Sequence, residues 1–72
     1  MNTSFTEVID SEILEIDGAV INEIYEYLLA NLGSTALATK YVCSYNSALD
    51  TIPLSLINSG SALAVLNYLE QF

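Results

Sequence analysis

Histidine and tryptophan are absent from this sequence, and cysteine, proline and methionine occur once each. Without histidine there is no imidazole for a catalytic triad and no zinc site of the usual kind. Cys43 stands alone, so no internal disulfide staples the fold, and a lone thiol of this sort reads as a small hydrophobe. Basic charge is nearly missing too: Lys40 faces nine carboxylates, for a net charge of −8. A chain with one cation cannot replace the counterions along a phosphate backbone, so nucleic acid is not an expected partner. An anionic membrane surface repels it as well. Long apolar runs are also lacking. The longest, Ala62 to Leu66, falls far short of the roughly 20 residues that cross a bilayer. The opening residues carry no basic side chain, which excludes a Sec-type signal there. No catalytic residue, metal ligand or cofactor is expected, and the sequence reads as that of a non-enzyme.

What the chain does have is apolar residues, 53% of 72 positions, against 14% charged. That balance excludes outright disorder and points to one small domain of modest stability. The spacing of the apolar residues is helical throughout. Phe5, Val8, Ile9, Ile13 and Ile16 recur at intervals of three and four, predicting a first helix over residues 4–16. Asp17-Gly18 interrupts the pattern, because glycine costs about 1 kcal/mol relative to alanine inside a helix. A second helix is expected over 19–32, with Asp17 as its N-cap and Gly33 as its stop; Ile21, Ile24, Tyr25, Leu28 and Leu32 form its stripe. Ser34 or Thr35 opens a third over 36–49, with Leu37, Ala38, Tyr41, Val42, Tyr45, Ala48 and Leu49 on one side. Ile52-Pro53 closes it, a short turn covers 54–57, and a last helix runs over 62–71, capped by Ser61. Its apolar side is Leu63, Val65, Leu66, Leu69 and Phe72. No segment alternates with period two, so the expected fold is all-α: three to four short helices in a small bundle.

The opening stretch supports a second interpretation. Val8 or Ile9, Ile13 and Ile16 form spaced aliphatic anchors, Glu12 precedes the middle one, and Gly18-Ala19 follows the last. This resembles the double-glycine leader of peptides exported by bacterial peptidase-containing ABC transporters, a group that includes class II bacteriocins and microcins. The resemblance covers residues 1–19, including the polar opening "MNTSFTEV". It departs from the commonest pattern at Ala19, where a second glycine is usual, and at the distal anchor, where leucine is usual. It implies a leader helix over 1–19 and a helical domain or mature peptide over 20–72. Val8, Glu12, Ile13 and Ile16 would dock in a groove of the exporter's peptidase domain, and cleavage would fall after Ala19, with Gly18 and Ala19 entering a narrow cleft. Five of the nine carboxylates lie before position 20, so the released product, starting at Val20, would carry a charge of −3. Its target would be a membrane or a receptor, and small residues four apart, Gly60 with Ala64 and Ser34 with Ala38, permit close helix contact there.

The alternative expectation is a small cytosolic interaction protein, such as a regulator, an immunity-type bundle or a phage-encoded inhibitor. Glu7, Asp10, Glu12, Glu15, Glu23 and Glu26 would then meet a partner with a basic or apolar groove. A homo-oligomer is also consistent with so many apolar side chains on so short a chain. The Ser and Thr residues between Ser34 and Ser61 read as caps and solvated positions, and the five tyrosines as core-edge residues with a wet hydroxyl.

Overall fold

The computed structural model describes residues 5–71. Four α-helices follow a single 3-10 turn, Phe5–Val8: α1 (Ser11–Leu32), α2 (Thr35–Cys43), α3 (Pro53–Asn58) and α4 (Ala62–Leu69). Among the described residues there is no strand, only an isolated antiparallel bridge between Asn46 and Thr51. The fold is an all-α bundle, as the helical spacing predicts. The expected first residue of helix one, Ser4, and the last of the apolar side of helix four, Phe72, lie outside the described residues.

The first two predicted helices are one. After the 3-10 turn the chain bends at Ile9, and Asp10 takes a non-helical conformation whose carboxylate accepts from the Glu12 N–H at 2.9 Å. From that cap α1 runs for 22 residues. Asp17-Gly18 does not break it. Asp17 leaves helical geometry (φ −112°, ψ 21°) and kinks the rod, and the helix resumes at once. The cost of a single glycine is about 1 kcal/mol, too little to interrupt a helix that packs on both sides of it. Asp17 is thus a kink residue rather than the N-cap its position suggested. The predicted stop holds: Gly33 sits at φ 88° and donates its N–H to the Leu29 carbonyl at 2.9 Å.

Ser34 caps α2, its hydroxyl accepting from the Leu37 N–H at 3.1 Å. This helix ends six residues earlier than its apolar stripe implies. Asn46 is the reason. Its side-chain oxygen accepts from the N–H groups of Ala48 (2.9 Å) and Leu49 (3.2 Å), and its amide nitrogen donates to the Tyr41 hydroxyl (3.2 Å). Those local bonds compete with helix propagation and fold residues 44–52 into a tight loop, in which Asp50 takes a left-handed conformation (φ 56°). Pro53 then opens α3 at its first turn, where its missing N–H costs nothing. The stop of α3 is a Schellman arrangement around Gly60 (φ 90°): Ser61 N–H reaches the Leu56 carbonyl and Gly60 N–H the Ile57 carbonyl. Ser61 makes no side-chain cap, contrary to its expected role.

The core gathers Ile21, Ile24 and Leu28 of α1, Ala38 and Val42 of α2, Ile57 of α3, and Ala62, Val65, Leu66 and Leu69 of α4. Phe5 and Ile9, ahead of α1, complete it at 3% and 5% exposure. No polar or charged residue is buried among those described. Leu37, Tyr45 and Leu63, placed on apolar stripes by their spacing, stand largely exposed.

Candidate functional site

α1 carries most of the charge. Its outward positions Glu12, Glu15, Glu23 and Glu26 are all exposed; 3.6-residue geometry groups Glu12 and Glu15 with Ile16 before the kink, and Glu23 and Glu26 with Ala19 and Ala30 after it. Glu7 and Asp10 extend the acidic surface before the helix, also exposed. Every described carboxylate is exposed except Asp17, which is half-buried at the kink. Among the described residues no group of three or more His, Cys, Asp or Glu side chains is placed to hold a metal ion. Cys43 is an exposed free thiol at the end of α2.

The residues singled out by the leader resemblance are spread over different environments. Val8 ends the 3-10 turn, half-buried, while its neighbour Ile9 is the one in the core. Ile13 packs partly against the core. Ile16 does not share that surface: it is 76% exposed, on the acidic face beside Glu12 and Ala19. Gly18 is half-buried just past the kink, and Ala19 is exposed. The boundary between residues 19 and 20 falls inside α1. The segment ahead of α1 is also fastened from outside. Asn58, the last residue of α3, accepts the Asp10 N–H at 2.9 Å and donates to the Val8 carbonyl at 3.4 Å. Sequence spacing gave no hint of this pin, since Asn58 opens a stretch that reads only as a loop.

Clefts open on the surface of the described residues, two of them along α1 and α2. The first, of about 290 Å³, runs along α1 between Phe5, Leu14, Gly18, Ile21, Asn22 and Tyr25, with Thr6 and Thr35 at its margins. Positions 14, 18, 21, 22 and 25 follow a single helical stripe adjoining the acidic face. The Phe5 ring leans on Tyr25, centroids 5.0 Å apart and planes tilted by 43°. The Tyr25 hydroxyl and Thr35 Oγ1 are hydrogen-bonded to each other at 2.7 Å. A Cβ at Gly18 would meet nothing within 4 Å, so packing does not require the glycine.

The second cleft, of about 340 Å³, lies between the end of α1, α2 and the 44–52 loop, lined by Leu32, Leu37, Lys40, Tyr41 and Tyr45 among others. Burial pushes the Tyr41 phenol up from its ordinary value; nearby Tyr68 and Tyr27 add to this, and the bond from Asn46 opposes it. Tyr45 is raised as well, chiefly because its hydroxyl donates to Asp50 Oδ1 at 2.7 Å. The molecule therefore offers an acid-flanked apolar cleft on α1 and a tyrosine-lined one around its only lysine. Comparison with known protein families, with curated proteins and with solved structures finds no match to this chain.

Proposed function

We propose that this chain is a small binding module that engages a basic protein partner through the outer face of α1 and performs no reaction of its own. The observation that carries the proposal is the composition of that surface: Glu12, Glu15, Glu23 and Glu26, all exposed along α1 on either side of its kink, with an uncovered Ile16 among them. Exposed charges of one sign, held on a helix rather than a loop, steer a partner of opposite sign and fix its orientation. An exposed isoleucine among them adds an apolar contact at little cost to the free protein. A cytosolic regulator or inhibitor works this way. Affinity capture with the intact chain tests it. A recovered basic protein should be released by salt and lost when Glu12, Glu15, Glu23 and Glu26 are all changed to glutamine, with helicity unchanged. Equal recovery by the glutamine variant would reject the proposal.

A second reading, an exported bacteriocin-like precursor cut after Ala19, is favoured by one feature, the same exposed Ile16 lying on one face with Glu12 and Ala19. A peptidase groove would reach these without unfolding the chain. Cutting there requires α1 to open in its middle, and the product would leave Phe5 and Ile9 behind. Exporter-dependent release of a peptide starting at Val20, weakened by Ile16→Ala and abolished by Gly18→Val, is the expected result under this second reading.

A further inference from the structure

We infer that the cleft beside Gly18 is the anchor point of the basic partner: it receives one apolar side chain, while flanking lysines or arginines pair with Glu15 and Glu26. The inference rests on the reading of this chain as an acidic binding module and names the spot where that module grips.

The cleft's walls are apolar, from Phe5, Leu14 and Ile21. Of its polar lining groups, the Tyr25 and Thr35 hydroxyls satisfy each other at 2.7 Å, and Thr6 and Asn22 are exposed to solvent. Its volume of about 290 Å³ suits one large side chain. The rim is acidic along α1: Glu15 adjoins the lining residue Leu14 and Glu26 follows Asn22 by four residues, and both are exposed. Charge complementarity therefore selects the occupant. A neutral or acidic segment gains nothing at that rim, whereas an apolar residue between cations satisfies walls and rim together. Gly18 fits this picture. A glycine inside a helix is a liability, and here no neighbouring atom lies within 4 Å of the missing Cβ. What the absent side chain leaves is the floor of the cleft.

The absence of tryptophan from the chain makes the test clean, because a tryptophan in a probe reports only its own surroundings. The probe is a blocked pentapeptide, Lys-Lys-Trp-Lys-Lys, with Glu-Glu-Trp-Glu-Glu as its counterpart. The basic probe should bind the intact protein with a blue-shifted tryptophan emission, and the acidic one should not. Gly18→Leu fills the floor while raising helix propensity, so the variant should melt no lower than the wild type. It should lose the blue shift and at least about ten-fold in affinity. Gly18→Ala, adding one methyl to open space, should show a smaller loss in the same direction. Glu15→Gln with Glu26→Gln should weaken binding and flatten its salt dependence while leaving the blue shift of whatever probe remains bound. Leu37→Ser, in the other cleft, should change nothing. Unchanged binding and blue shift in both Gly18 variants would overturn the anchor point while leaving the acidic module standing, provided the glutamine variants still lose affinity. Equal binding of the acidic probe, or no effect of the glutamines, would overturn the module itself. No binding of the basic probe at millimolar concentration would overturn the anchor.

Discussion

The stretches on either side of the α1 kink carry nearly the same pattern of aliphatics among acids, and the fold uses them differently. After the kink, Ile21, Ile24 and Leu28 all enter the core. Before it, Ile13 is only half-covered and Ile16 stands in solvent, and the core contacts come instead from Phe5 and Ile9, ahead of the helix. The second stretch is held by a continuous buried stripe. The first is held by two anchors, an Asp10 cap and the Asn58 pin, and its outer surface, with Glu12, Glu15 and Ile16, stays exposed. An amphipathic pattern alone does not separate side chains that stabilise from those left in solvent. The kink at Asp17 and the bend at Ile9 make that separation.

The comparison breaks most severely when the first stretch is removed. Deleting residues 1–19 takes away Phe5 and Ile9, whose burial is worth roughly 2–5 kcal/mol each by analogy with core truncations. A single core in a chain this short seldom supplies more than about 3–5 kcal/mol in total. The remainder should lack a cooperative thermal transition in aqueous buffer. Next in size, Ile9→Ala should destabilise by about 2–5 kcal/mol in urea titrations, as much as Ile24→Ala. A loss below about 0.5 kcal/mol would mean that the first stretch is not part of the core. Asn58→Ala should cost about 1 kcal/mol, since it removes two hydrogen bonds at an exposed site. Hydrogen exchange should quicken at the Asp10 amide, whose acceptor is lost, while the amides of residues 24–28 stay protected.

The smallest stability effect falls on the exposed isoleucine. Ile16→Ala should alter stability by less than about 0.5 kcal/mol yet weaken partner binding. The contrast with Ile9 is the sharpest form of the comparison. At high pH the second cleft should show a modest response. Because the fold favours the neutral Tyr41 phenol, its contribution is fully present below about pH 10 and declines as pH rises through the raised folded value. Tyr41→Phe should therefore lose less stability than the wild type between about pH 9 and pH 11, read as the shift in urea midpoint.

Much of the bundle is legible from local chemistry. Gly33, Ser34 and Pro53 act where their conformational preferences put them, and the stripe of Ile21, Ile24 and Leu28 reads directly from its spacing. Three features are not legible, each for a physical reason. The fusion of the first two predicted helices depends on packing outweighing one glycine, a balance no local rule contains. The early end of α2 depends on one side chain, Asn46, capturing two backbone N–H groups in place of the helix. The cleft beside Gly18 needs Phe5 to reach Tyr25 across twenty residues of chain, and Thr35 to meet Tyr25 across the Gly33 turn. Among the candidate site residues, Glu12 is exposed as its helical position implies, whereas Ile16, expected on the apolar stripe with Ile13, stands in solvent on the acidic face. Ile13 is drawn toward the core, and Asn58, the residue that fixes the segment, carries no sequence signature.

The central claim is that residues 5–19 are a working part of the folded module rather than an address. Intact mass of the chain in cells that make it, measured in both the cell fraction and the medium, tests this most directly. A single full-length species retained in the cells is the predicted result. A species beginning at Val20 in the medium would contradict it.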